Sequence, residues 1–320
     1  MLLLVGCGSQ TPPLAFEDLD RLVSGEEAYS ETLRVVRTGV RAPGSVASAA
    51  AREAIATRLG ELGWTTIEQP FDGETPRGVV KFTNLRARFG GSPDVDWDQQ
   101  KSVLFATRYD VRSYRGFDHV GANAGASGAG VVIELARVLA VDSSRAGKVE
   151  LVFFDGYSPQ GSALSPRDGL KGSRHYAEQI ISGTMPSPAR AGVWIDQVGE
   201  RGLDWTLRSQ LPSDAIESLT SDATRPYPVD LKAVESALID SVQQFLTGAD
   251  EMEIRGRISS AAEPVEGDAM PLNLVAGIPT LSLFDGDYPY RLTPGDTIDR
   301  VKPQSLELTA RLLLRWLEKQ

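Results

Sequence analysis

Cysteine and histidine are nearly absent: Cys7 is the only cysteine, and His119 and His175 are the only histidines, in 320 residues. One cysteine excludes a disulfide framework and any zinc cluster built on thiolates, and two histidines leave an ordinary His-rich metal site hard to assemble. Basic charge is in deficit too, with 33 Lys+Arg against 43 Asp+Glu and a formal charge of −10. No basic run is long enough to neutralise a track of phosphates, so nucleic acid is not an expected partner. No stretch approaches the ~20 apolar residues of a spanning helix. A P-loop Gly-Lys-Ser/Thr and a G-x-S-x-G elbow are both missing, and Gly125-Ala126-Ser127-Gly128-Ala129-Gly130 reverses the dinucleotide spacing. Ser173 and His175 stand two apart on a helical pattern and point away from each other, which removes a serine-hydrolase triad and leaves His175 as a packing or helix-surface residue.

What is present is a globular composition, 41% hydrophobic and 24% charged, with enough apolar material for a sizeable core. The lone cysteine closes the run Met1-Leu2-Leu3-Leu4-Val5-Gly6-Cys7. This run resembles a bacterial lipobox, in which small residues admit signal peptidase and the thiol takes a diacylglyceryl group that anchors the protein to a membrane. The resemblance implies an extracytoplasmic lipoprotein, in the periplasm or at the cell surface, whose signal starts upstream. Gln10-Thr11-Pro12-Pro13 reads as its tether. The expected organisation is a signal remnant and tether over residues 1–13 and one domain over residues 14–320.

Helical periodicity marks Phe16 to Leu22, Ser45 to Leu62, Val131 to Leu139, Arg174 to Ile181, Val234 to Leu246 and Pro303 to Glu318. Apolar runs mark strands at Thr65 to Phe71, Gly78 to Phe89, Ser102 to Arg108, Val149 to Phe154, Ala191 to Ile195 and Thr280 to Phe284. The order is β-rich early and then βαβ-like. It predicts an α/β domain with a doubly wound, mixed, mostly parallel sheet and helices on both faces. Residues 201 to 233 are polar with turn signals and read as an irregular excursion near the carboxyl edge of the sheet.

A series of fragments runs through this pattern. They include Thr75-Pro76-x-Gly78, Phe82-x-Asn84-Leu85, Arg108-Tyr109-Asp110, Val120-Gly121-Ala122-Asn123-Ala124-Gly125-Ala126-Ser127-Gly128, Phe153-Phe154-Asp155-Gly156, Asp168-Gly169-Leu170-x-Gly172-Ser173-Arg174-His175, Ile195-Asp196-x-Val198-Gly199, Gly267-Asp268-x-x-Pro271-Leu272 and Leu292-Thr293-Pro294-x-Asp296-Thr297. In this order the chain resembles the zinc-dependent glutaminyl cyclases and their zinc aminopeptidase relatives, over about residues 30 to 318. Thr-Pro-x-Gly followed by Phe-x-Asn tilts the resemblance toward the cyclases. It implies an active site at the carboxyl ends of the strands, with one zinc in cyclases or two in aminopeptidases, held by His and carboxylate ligands.

The positions implied for that chemistry are occupied by other residues. Where the resemblance implies a His-x-Asp strand end, Arg108 precedes Tyr109-Asp110, and a guanidinium has no lone pair to offer zinc. The loop carboxylate is Ala124, the two glutamates after Phe-Asp-Gly are Tyr157 and Ser158, and the last histidine is Leu292. Asp196 and Asp268 remain as remnant catalytic carboxylates. Their mutual repulsion calls for positive charge in place of the ion, and Arg108 and Arg291 are the candidates to supply it. The expectation is a metal-free, catalytically inactive pseudoenzyme that binds peptide termini or a protein partner. The alternative is an active cyclotransferase or aminopeptidase-like hydrolase with a rebuilt site, in which Tyr157, Asp196 and Asp268 handle protons. A third reading is a scaffold whose pocket side chains have filled.

Overall fold

The computed structural model describes residues 14–90, 103–159, 168–185, 189–212, 229–260 and 263–320. The expected lipidation site Cys7 and its tether fall outside them. Two helices, α1 (Phe16–Leu22) and α2 (Gly25–Val36), lead into α3 (Val46–Glu61) and a long hairpin, β1 (Trp64–Thr75) and β2 (Gly78–Phe89). Then come β3 (Val103–Arg108), α4 (Gly128–Leu139), α5 (Ser143–Ala146), β4 (Val149–Phe154), α6 (Lys171–Ile181), β5 (Ala191–Ile195) and β6 (Trp205–Arg208). The chain closes with α7 (Leu231–Glu251), β7 (Ile258–Ser260), α8 (Ala269–Leu274), β8 (Thr280–Phe284) and α9 (Pro303–Glu318).

The eight strands form one sheet in the order β1-β2-β4-β3-β5-β8-β6-β7. Its centre is parallel, through β4·β3, β3·β5 and β5·β8, and β6·β7 is parallel at one end, while β1·β2, β2·β4 and β6·β8 are antiparallel. Every residue of β3, β4, β5 and β8 is buried, as a strand covered by helices on both faces must be. Alternation sorts the side chains between two cores. Phe105 and Val193 join Val35, Ile55, Leu135, Leu238 and Leu313 from α2, α3, α4, α7 and α9. Leu104, Val152 and Trp194 join Tyr176 and Leu272 from α6 and α8 on the opposite face.

The architecture is the mixed, mostly parallel sheet that the sequence pattern predicts. The sequence pattern does not mark α2, α5, α8 or β7, and within the expected irregular excursion Trp205–Arg208 pairs with both β7 and β8 while α7 already begins at Leu231. Four strand residues are too few to announce themselves in a polar context. Residues 213–228 of that excursion lie outside the described residues.

Parallel pairing fixes the site. Arg108 is level with Phe154 across β3·β4, and β5 runs beside β3 in the same direction. The segments that follow the three strands, Tyr109-Asp110, Asp155-Gly156-Tyr157-Ser158 and Asp196, therefore emerge at one edge.

Candidate functional site at the carboxyl ends of the central strands

Arg108 and Asp196 come together at that edge. Arg108 Nε donates to Asp196 Oδ2 at 2.8 Å and Nη1 donates to the Asp110 carbonyl at 2.9 Å. Both side chains are buried, at 3% and 0% exposure. The Tyr157 ring covers the guanidinium, 4.2 Å from its central carbon, and stacks in turn on Trp194 at 5.7 Å. The other oxygen of Asp196 accepts the Gly125 backbone N–H at 2.8 Å. Burial alone would lower the Arg108 guanidinium, yet Asp196, followed by Asp110, raises it above its ordinary value. The pair is thus desolvated and hydrogen-bonded at both ends, the condition under which a buried ion pair is tolerated.

The neighbouring carboxylates are held differently. Asp110 accepts the Tyr157 and Ser158 backbone N–H groups at 3.1 and 3.2 Å, and burial pushes its carboxyl up against the pull of Arg108. Asp268 Oδ1 accepts the Ser173 hydroxyl at 2.5 Å, while Oδ2 is buried without a partner among the described residues. Burial raises Asp268 to about 7, with Asp110 adding to the rise and Ser173 opposing it. Asp155 accepts the Thr83 backbone N–H at 3.0 Å and is pushed up to about 8, first by burial and then by Asp110. Burial likewise raises Tyr157, which Arg108 and Arg291 partly offset.

The remaining candidates scatter around this centre. Ala124 is buried in the loop between β3 and α4 and donates its backbone N–H to Asp296. Ser158 is buried beside Asp110. Leu292 has a left-handed backbone, φ 60, and is 46% exposed. Arg291, expected beside a carboxylate, is exposed and reaches the Tyr157 hydroxyl at 3.4 Å. Charge compensation by two arginines therefore reduces to one. His119 is buried behind the loop, neither ring nitrogen hydrogen-bonded among the described residues, its Nε2 lying 3.6 Å from Asp296 Oδ2. His175 is half-buried and stacks on Phe71 at 4.1 Å. The sequence reading missed the part played by Ser173 and Trp194. Ser173 carried a signal, as part of a recognisable Gly-Ser-Arg-His fragment, but nothing local tied it to a carboxylate 95 positions away.

This arrangement of strands has known counterparts. The model of peptidase family M28 matches residues 84–317, well over half of the chain, and the protein belongs to that family. Among curated relatives, the glutaminyl-peptide cyclotransferase of Gloydius blomhoffii is 28% identical over 265 residues, covering 78% of this chain and 68% of that protein. The Bos taurus glutaminyl-peptide cyclotransferase is 31% identical over 164 residues, but this match spans only 44% of its length. Among solved structures, the Porphyromonas gingivalis glutaminyl cyclase superposes with a TM-score of 0.74 at 21% identity, covering 93% of this chain and 99% of that one. A Zn-dependent exopeptidase from Parabacteroides distasonis gives 0.72 at 18% identity, covering 93% and 99%.

Zinc is the ion such a relationship implies, and the donors present here do not fit it. The Asp196 carboxylate is taken by a guanidinium and an amide, and that of Asp110 by two amides. Ala124 and Leu292 carry no donor atoms on their side chains. Among the described residues no three His, Cys, Asp or Glu gather in a group able to hold a metal. A zinc site needs three or four such ligands.

Proposed function

We propose that this member of peptidase family M28 is a zinc-free relative of the glutaminyl cyclases that no longer cyclises or cleaves peptides, and that it serves as a binding protein for a peptide or protein partner. The single observation that supports this reading is the Arg108–Asp196 ion pair, buried at the carboxyl ends of β3 and β5. It spends on an internal contact the carboxylate that an active site would direct at substrate. The relatives named as cyclotransferases supply the direction of the analogy, and fold likeness alone assigns no ligand. The lipobox-like start at Cys7 completes the proposal with a lipid anchor and an extracytoplasmic location.

A turnover assay tests it. Purified protein is incubated with an N-terminal glutaminyl peptide and with aminoacyl amides, with and without added zinc. No cyclisation or cleavage above a heat-inactivated control is expected in either condition. Turnover that depends on Asp268 and survives a chelator would instead establish the rebuilt-site enzyme.

A further inference from the structure

Asp196, the Asp110 carbonyl and the Tyr157 ring surround the head group of Arg108 on its edge and its face. A carboxylate and a carbonyl accept from two neighbouring nitrogens of the fork at 2.8 and 2.9 Å, and the central carbon of the guanidinium lies 4.2 Å from the centroid of an aromatic ring. Each contact matches a property peculiar to a guanidinium: planarity, forked N–H groups and weak hydration. The receptor is also independently braced. The Gly125 N–H orients Asp196, the Tyr157 N–H meets the Asp110 carboxylate, and Trp194 backs the tyrosine ring. Gly125 has φ +91, and a Cβ there would stand 2.8 Å from the Asp110 carbonyl oxygen and 3.3 Å from Arg108 Nη1. Only glycine lets the loop close this tightly on the cation.

We propose that the pocket is a guanidinium-binding site filled from within the chain: Arg108 is its resident cation, and the site remains selective for planar guanidinium or amidinium cations when that side chain is removed. The inference rests on the metal-free reading only because one pocket cannot hold Arg108 and a metal ion together.

The test is chemical rescue of Arg108→Ala in the otherwise intact protein. Millimolar guanidinium or methylguanidinium chloride should raise its melting temperature saturably, by about 2–4 °C. Equal concentrations of sodium chloride or urea should not, and the parent should gain nothing from any of them. The variant Arg108→Ala/Asp196→Asn should melt above Arg108→Ala, because its orphaned carboxylate is gone, and should lose the guanidinium response. If Arg108→Ala does not fold, Arg108→Lys, which keeps the charge and loses the fork, should melt several degrees below the parent. An equal guanidinium response in parent and variant, no response in a folded Arg108→Ala, or a parent-like melt of Arg108→Lys would overturn the proposal. Zinc content and peptide turnover enter none of these readings, so the two ideas fail separately.

Discussion

A guanidinium brings one positive charge to a pocket whose family implies a divalent ion, and the carboxylates must absorb the difference. Arg108 satisfies Asp196, while Asp268 sits fully buried with one oxygen unpaired among the described residues and is raised to about 7, chiefly by burial. Protonation, which burial favours, would remove one negative charge from the pocket. An unfolded aspartate loses its proton near 4, so between about pH 4 and pH 7 the folded state holds a proton that the unfolded state has released. The contribution of Asp268 to stability is therefore complete below pH 4, falls as pH rises through about 7, and is flat above. The loss amounts to at most about 4 kcal/mol, at one proton per chain. Asp268→Asn should match the parent in denaturant melts near pH 4 and exceed it by a few kcal/mol near pH 8. Equal pH profiles for the two proteins would show that Asp268 ionises freely. For Arg108→His the expected outcome is a loss of about 3–5 kcal/mol, the usual cost of leaving one partner of a buried pair alone. A variant within a few tenths of a kcal/mol of the parent would mean that the pair contributes nothing.

At the scale of elements, the site depends on three parallel strands and on the loop from 122 to 127 that leads into α4. The buried loop turns at Gly125 to place its N–H on Asp196, while Asp296 accepts the N–H groups of Asn123 and Ala124 at 2.7 and 3.1 Å. Gly125→Ala should cost about 1–3 kcal/mol through the forced left-handed conformation and the crowding of the Asp110 carbonyl. Its effect and that of Arg108→Ala should fall short of additivity in a double-mutant cycle. Additive losses would separate the loop from the ion pair.

These elements were unequally legible. Gly78–Phe89, Val149–Phe154, Ala191–Ile195 and Pro303–Glu318 stand where apolar pattern alone puts them. The helix Gly25–Val36 escaped because its inward face is Ala28, Glu31, Thr32 and Val35, small and polar rather than a broad apolar stripe. Within the site, local motifs named Arg108, Ala124, Tyr157, Ser158 and Leu292 as the residues to examine. The partner of Arg108 could not be read from them: Asp196 lies 88 positions away, and only the adjacency of β3 and β5 selects it over Asp268. Arg291 misled for the same reason, since a turn beginning near Tyr288 directs it outward to solvent and to Tyr157.

For the whole molecule, the lipid anchor proposed at Cys7 is open to a direct test. Expression of the native reading frame in a lipoprotein-processing bacterium should yield a diacylglyceryl adduct on Cys7 by intact-mass analysis. A water-soluble product retaining residues 1 to 6 would remove the anchor. The central claim, that charge compensation by Arg108 stands in place of zinc, meets its most direct test in metal analysis of protein dialysed against zinc and then against metal-free buffer, with melts before and after a chelator. The account predicts zinc well below one per chain and an unchanged melting temperature, because no ligand set among the described residues links metal binding to folding. One tightly held zinc per chain, lost to the chelator together with stability, would contradict it.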